Sequence, residues 1–319
     1  MQRPTIHIAA PARLHFGMFS FGDSSTRQFG GIGAMIAEPA LRLTCTPADR
    51  WSATGPMADR ALEFAERVAS ALGETSPCHF TIHAAPPSHV GLGSGTQLGM
   101  AVAKCLSTLA GRDLSAMELA KLSGRGRRSA VGVHGFALGR LLVESGKVQQ
   151  EDLSPLVARH EIPDAWRFVL IRAQGTAGLA GAAERAAFER LPAVPRDRAA
   201  ELCRLALLEL LPALCDQDCV RFGRALTAFG RLSGESFATQ QVGVYASDGV
   251  AKLVERVQRL GAAGAAQSSW GPLVAAVVAN QAEAERLVHS LSHESDFDDL
   301  EIVIAPPNNT GATLTITSP

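Results

Sequence analysis

The chain has 319 residues, 46% of them hydrophobic and 19% charged, an ordinary balance for a folded protein and long enough for two cores. Thirty basic against 31 acidic side chains leave a net charge of −1, which supplies no bulk field for nucleic acid or an anionic membrane, so neither is an expected partner. Six cysteines without a C-x-x-C pair indicate neither a disulfide scaffold nor a zinc site, and no apolar window reaches the roughly 18 residues of a membrane span, so a reducing, cytoplasmic location is expected.

Residues 5–9 read as a first strand, and Pro11-Ala12-Arg13-Leu14-His15-Phe16-Gly17 mixes charged and apolar residues as a strand lining a site does. Residues 21–33 are glycine-rich and polar, a loop feeding strands at 34–36 and 41–46. Residues 57–72 repeat apolar side chains at helical spacing up to Gly73, and a strand follows at 80–83. His79 and His83, without acidic or cysteine neighbours, read as structural.

The segment Pro86-Pro87-Ser88-His89-Val90-Gly91-Leu92-Gly93-Ser94-Gly95-Thr96-Gln97 then leads into a helix whose apolar face carries Leu98, Val102, Cys105, Leu106 and Leu109. A glycine loop at a helix N-terminus either makes a tight turn or turns its amides toward an anion; three glycines and a Pro-Pro favour the anion. It is not the Walker pattern, because no Lys-Ser or Lys-Thr follows the last glycine. Ser115-x-x-Glu118 has the form of a capping box for a second short helix. Beyond it, Ser123-Gly124-Arg125-Gly126-Arg127-Arg128-Ser129 is by itself equally a solvated loop or an oxyanion clamp, and its place after the glycine loop favours the clamp.

Residues 141–143 form a strand, and the polar, proline-bearing stretch 151–163 reads as a connection, so a boundary is expected near 165, between an N-terminal domain (1–165) and a C-terminal domain (166–319). A buried strand opens the second domain at 166–171, helices cover 184–190, 198–211 and 218–232, and strands close it at 301–305 and 313–317. Strands and helices mix without regular βαβ alternation, so the fold class is α+β in two layers. Gln267-Ser268-Ser269-Trp270-Gly271-Pro272 is either a plain turn or a site offering donors and a flat aromatic face.

Together the 11–17 strand, the 86–97 loop and the two-domain layout resemble the GHMP superfamily, named for galactokinase, homoserine, mevalonate and phosphomevalonate kinases. Gly30-Gly31-Ile32-Gly33, the Gly124–Ser129 arginine segment and above all the Gln267–Pro272 stretch are similar to one branch of it, the β-ribofuranosylaminobenzene 5′-phosphate synthases of tetrahydromethanopterin biosynthesis. The resemblance implies an N-terminal domain like the second domain of ribosomal protein S5 and a ferredoxin-like C-terminal domain. Two departures from the kinases stand out. Where they place an acidic residue near the phosphoryl acceptor, Ser129-Ala130-Val131-Gly132 ends in glycine, and Gln267-Ser268-Ser269-Trp270 replaces their late glycine-rich loop. Both changes argue against phosphoryl transfer from ATP, although an ATP-dependent small-molecule kinase remains the alternative reading.

What the branch implies is a glycosyltransferase joining phosphoribosyl pyrophosphate to 4-aminobenzoate or 4-hydroxybenzoate, with loss of pyrophosphate and carbon dioxide, to give a C-riboside 5′-phosphate. The sequence does not choose between the two acids. By motif position, Gly91, Gly93, Ser94, Gly95 and Thr96 would hold a donor phosphate, with Arg125, Arg127 and Arg128 as the clamp. Arg13 and His15 would meet the benzoate carboxylate or the donor, and Gln267, Ser268, Ser269 and Trp270 the ring. Mg²⁺ is expected on the pyrophosphate with Asp23 as its carboxylate contact, and neither ATP nor pyridoxal phosphate is expected. A homodimer is the expected assembly.

Overall fold

Two long antiparallel strands, β1 (Thr5–Met18) and β2 (Gly31–Pro47), begin the chain. Each absorbs two strands expected separately, because the pairing passes Pro11 by a register shift instead of a break. In this computed structural model, residues 4–73, 76–148, 151, 153–179, 181–241, 243–293 and 299–317 are described. Next come β3 (Ser52–Thr54), α1 (Ala58–Leu72), β4 (Cys78–Ala84) and α2 (Ser94–Leu109). The expected capping box opens α3 (Ala116–Ser123), Ser115 Oγ accepting from Glu118 N while Glu118 accepts from Ser115 N. The first half ends with α4 (Val131–Leu138), β5 (Leu141–Glu144) and β6 (Leu156–His160).

The second half runs through β7 (Arg167–Ala173), α5 (Gly181–Glu189), α6 (Arg196–Leu205), α7 (Leu211–Cys215) and α8 (Cys219–Gly234). It continues with α9 (Asp248–Arg259), β8 (Gly264–Gln267), β9 (Val274–Val278), α10 (Gln281–Ser292), β10 (Leu300–Ala305) and β11 (Thr313–Thr317).

The first sheet has the order β11-β1-β2-β4-β3, with β5 on β2 and β6 on β5; the second is β10-β7-β9-β8. So β6 lies inside the 151–163 stretch read as a connection, where alternating half-buried and exposed side chains are those of an edge strand. The last strand, β11, crosses back from the second half to pair with β1.

The register shift between Ala10 and Ala12 exchanges the faces of β1. Before it, Ile6, Ile8 and Ala10 pack with α1, α2 and α3; beyond it, Ala12, Leu14 and Phe16 join a second core with β7 and α8. That exchange leaves Arg13 facing the start of α2, where an added Cβ on Gly93 would lie 3.2 Å from Arg13 Nε. On β7, Phe168 and Leu170 belong to the core shared with α8, and Val169 and Ile171 to one formed with α9 and α10. Burial on both faces explains its unbroken apolar run.

Two details carry testable consequences. The backbones of α8 and β8 touch at Gly223 and Gly264, and a Cβ on Gly264 would lie 1.8 Å from Gly223 O. Glu144, at the end of β5, is fully buried and accepts from Ala130 N at 2.7 Å, capping α4 in the absence of a side-chain cap of its own. Desolvation raises its pKa to about 7.

Gly264→Ala should lower the unfolding free energy by about 3 kcal/mol or more, since backbone on both sides cannot give way. Gly249→Ala in α9, with only Ser247 Oγ nearby at 3.6 Å, should be neutral or stabilising by up to about 1 kcal/mol. Denaturant unfolding of both variants decides this, and equal stabilities would refute the close approach. Glu144 holds its proton in the folded state to a higher pH than in the unfolded chain, so the protein should lose stability as pH rises from about 4.5 to above 7. Glu144→Gln should flatten that slope in thermal melts across the same range; an unchanged slope would assign it to other groups.

Candidate active site

The glycine loop is shaped by contact with the other half of the chain. Gly91 (φ 104°) and Gly93 (φ 68°) both lie in the left-handed region, and a Cβ on Gly91 would sit 2.2 Å from Ser268 O. Gly93, with its own φ, is the N-cap of α2, and Ser94 is the first helical residue. Thr96 N and Gln97 N turn back to Gly93 O at 3.0 and 3.2 Å, which leaves the leading amides of the helix for another acceptor.

Three arginines surround this helix start. Arg13 Nη1 donates to Gly91 O at 3.4 Å, and its Nε is buried without a partner. Arg125 donates to Thr96 Oγ1 from Nε at 3.3 Å and from Nη2 at 3.2 Å. The third, Arg60 on α1, was not among the sequence candidates. Its Nε lies 3.6 Å from a Cβ placed on Gly95 and is also buried without a partner. Burial brings the Arg13 pKa down to about 10 and lowers that of Arg125, to which the charge of Arg60 contributes. Three guanidiniums held this close with spare donors are a receptor for a multiply charged anion.

The expected clamp of Arg125, Arg127 and Arg128 is therefore distributed differently. Arg127 is exposed, and Arg128 turns away to pair with Glu184 at 3.0 Å and to lie 4.7 Å from the centre of the Phe188 ring.

His15 is buried two residues along β1 from Arg13. Its main chain is held by Ser268 and Ser269: His15 N donates to Ser268 Oγ at 3.1 Å, and His15 O accepts from Ser269 N at 2.8 Å. Burial, and then the charge of Arg13, lowers its pKa to about 3, so the imidazole is neutral at ordinary pH.

Beside His15 opens a cleft. Its aromatic wall is a cluster of Phe188, Phe237 and Trp270, with ring centres 5.2 Å apart for Phe237–Trp270 and 5.9 Å for Phe188–Trp270. Arg128, Glu184, Gln241 and Tyr245 also line it. Three buried polar atoms of lining residues have no partner: His15 Nε2, Gln241 Oε1 and Trp270 Nε1.

The Gln267–Trp270 stretch divides its labour. Gln267 spends its amide on the turn, accepting from Ala246 N and donating to Ser269 O, and Ser268 Oγ donates to Gly91 O at 2.7 Å. Trp270 presents its ring to the cleft. Asp23 is placed elsewhere: it accepts from Ser25 N and Oγ at 2.9 and 2.6 Å and lies 3.9 Å from Arg196, outside the residues lining the cleft. The Ser25 hydroxyl is the main cause of its lowered pKa. Among the described residues no three His, Cys, Asp or Glu side chains cluster as a metal cage.

Gly132 faces the first turn of α2. A Cβ there would lie 3.2 Å from Thr96 Cγ2, and Gly132 O accepts from Gln97 Nε2 at 2.9 Å. An acidic side chain at this position would project at the helix start; glycine leaves that volume open.

The profile of the GHMP kinases N-terminal domain matches residues 59–139, and that of the GHMP kinases C-terminal domain matches 210–295. Three archaeal proteins named beta-ribofuranosylphenol 5′-phosphate synthase are similar along nearly the whole chain. The protein of Archaeoglobus fulgidus is 28% identical over 95% of this chain and 97% of its own length, and that of Methanothermobacter thermautotrophicus is 27% identical over 85% and 88%. The third, from Methanocaldococcus jannaschii, is 26% identical over 95% and 98%. In fold, the chain superposes on a putative homoserine kinase of Listeria monocytogenes with a TM-score of 0.69 at 21% identity, covering 97% of this chain and 99% of that one. A mevalonate kinase gives 0.64 at 14% identity, covering 95% and 99%. With both domain profiles matched in order and the fold shared from end to end, the chain belongs to the GHMP kinase superfamily.

Proposed function

We propose that the protein joins phosphoribosyl pyrophosphate to 4-hydroxybenzoate, releasing pyrophosphate and carbon dioxide and leaving a ribosylphenol 5′-phosphate. The observation that carries this reading is the adjacency of two unlike subsites along β1: an arginine-ringed helix start beside Arg13, suited to a polyanion, and an aromatic cleft lined by His15 two residues further on. The hydroxy acid is chosen over the amino acid because the relatives' printed name is that of a ribosylphenol phosphate synthase.

The chemistry accounts for what the site lacks. The C1–oxygen bond to pyrophosphate breaks with its electron pair leaving on the pyrophosphate. The ring carbon bearing the carboxylate attacks C1, and the ring–carboxylate bond then breaks, returning its electrons to the ring as carbon dioxide departs. No proton has to be removed from an acceptor hydroxyl, so glycine at 132 costs nothing, and a neutral His15 suits a site that positions instead of titrating. The need is for charge stabilisation of the leaving group, which Arg13, Arg60, Arg125 and the α2 amides would supply. Mg²⁺ would arrive on the substrate's pyrophosphate. Glu144, which caps α4, Glu184, which pairs with Arg128, and Asp23, which is bonded to Ser25 away from the cleft, are each engaged by the protein itself.

Purified protein given phosphoribosyl pyrophosphate, Mg²⁺ and 4-hydroxybenzoate should release carbon dioxide and pyrophosphate in equal amounts. A folded sample that releases neither with 4-hydroxybenzoate or 4-aminobenzoate would end this reading, and ATP consumption with an alcohol acceptor would replace it by a kinase. Arg60→Ala should reduce kcat/KM for phosphoribosyl pyrophosphate about ten- to hundredfold through loss of a charge-assisted contact. Arg127→Ala should change it by less than about threefold, because its side chain is exposed. Steady-state pyrophosphate release separates the two, and the reverse order would restore the clamp expected from the sequence.

A further inference from the structure

The cleft's unpartnered atoms are not interchangeable: Trp270 Nε1 can only donate, and the sense of the Gln241 amide is set by its own hydrogen bonds. Gln241 Nε2 donates to Val244 O at 2.7 Å and to Gly234 O at 3.3 Å. A flipped amide would set its oxygen against two carbonyls, so the main chain fixes the orientation: Nε2 is committed to Val244 O and Gly234 O, and Oε1 is the uncommitted end of a side chain that lines the cleft. That oxygen is buried and has no hydrogen bond. It can only accept.

Its position along the cleft is also defined. His15 lines the cleft and lies two residues along β1 from Arg13, whose Nη1 donates to Gly91 O of the glycine loop. Farther along β1, Met18 also lines the cleft: its N donates to Ser233 Oγ at 3.0 Å, and Gly234, the next residue, accepts from Gln241. His15 and Met18 are three residues apart on β1, about 10 Å at a strand's rise per residue, a span matched by one para-substituted ring between the aromatic side chains.

We propose that Gln241 Oε1 receives the hydrogen of the para substituent of the aromatic acid, so that the cleft selects benzoates whose para group is a hydrogen-bond donor. This rests on the acceptor being a benzoate, as proposed above. The carbon attacked is the one bearing the carboxylate, which must face the ribosyl carbon at the loop end, and so the para group points toward Gln241. As the new C–C bond forms, positive charge spreads through the ring onto the para oxygen, its O–H becomes a stronger donor, and the bond to Oε1 tightens. Gln241 thus touches substrate and aids the step without taking a proton. A para group without a hydrogen leaves a buried carbonyl unpaired, the situation in which polar sites discriminate strongly.

The test uses the full chain, four acids and three variants. 4-Hydroxybenzoate and 4-aminobenzoate can donate; 4-methoxybenzoate keeps the electron release without the hydrogen, and 4-methylbenzoate keeps the size. Calorimetric Kd values for wild type should favour the two donors over the other two by about ten- to hundredfold, and Gln241→Met should reduce that preference to within about threefold while leaving the KM for phosphoribosyl pyrophosphate unchanged. Gln241→Leu, of similar size and without an acceptor, should lose the preference as the Met variant does. Wild type binding 4-methoxybenzoate and 4-methylbenzoate as tightly as 4-hydroxybenzoate overturns the proposal, whether or not the variants fold. So does a Met variant with wild-type preference, or a Tyr245→Phe variant that abolishes it, Tyr245 being on the same cleft. Selective binding that Gln241→Met erases, without turnover, supports this assignment while refuting the proposed reaction. Turnover with an indifferent Gln241 does the opposite, and absence of both binding and turnover removes both.

Discussion

One hydroxyl group ties the two halves of the site together. Ser268 Oγ donates to Gly91 O and accepts from His15 N, so a residue late in the chain fixes both the glycine loop and the β1 segment that carries Arg13 and His15. The neighbouring contacts repeat the constraint: Ser269 N donates to His15 O, and Gly91 approaches Ser268 O too closely for any side chain. Buried polar contacts of this kind are unforgiving, because each partner lost leaves another unsatisfied in low dielectric. The loop's shape is therefore not a local property of its glycines. It is set by the Gln-Ser-Ser-Trp turn, whose ring at Trp270 simultaneously builds the cleft.

From that knot the electrostatics follow. With the loop pinned, Arg13, Arg60 and Arg125 converge on the start of α2, and burial makes the unmet Nε donors of Arg13 and Arg60 costly until an anion satisfies them. The buried carboxyl nearest in charge to Arg13, that of Glu144, is committed to Ala130 N and has a pKa near neutrality. It is thus a weak counterion, and the other carboxylate that acts on Arg13 and Arg125, Glu184, is paired with Arg128, so the cationic end of the site stays short of negative charge. An overall charge near zero conceals this, since the field is local.

Much of the fold was legible because its signals are short-range: the capping box at Ser115, the apolar period of α2, the alternation in β2 and the closing strands at 301–305 and 313–317. The merger of strands across Pro11 was not, because a register shift depends on the partner strand. Helices α9 and α10 do carry readable N-caps in Ser247 and Asn280, whereas α4 is capped by Glu144 from another strand and shows no local start. In the site, the glycine loop, Arg13, His15 and Trp270 stood in recognisable motifs. Arg60 and Gln241 did not: one is an ordinary arginine in an amphipathic helix, the other a glutamine in a turn. Their significance comes from neighbours far along the chain, Gly95 for Arg60 and the cleft for Gln241.

The shared fold also shows how little need change between a phosphoryl-transferring site and one that transfers a ribosyl group. Both chemistries need an anion held at a helix start and a second substrate beside it. A kinase must also manage the proton of an acceptor hydroxyl, which calls for charge near that oxygen. When the group lost from the acceptor is carbon dioxide, the electrons that rebuild the ring come from a C–C bond and no such proton exists. An acid in the position of Gly132 would place negative charge at the start of α2, against the three arginines gathered there. Glycine there suits the ribosyl transfer proposed above, in which a pyrophosphate leaves, and the aromatic wall of Trp270, Phe188 and Phe237 suits a ring as the second substrate.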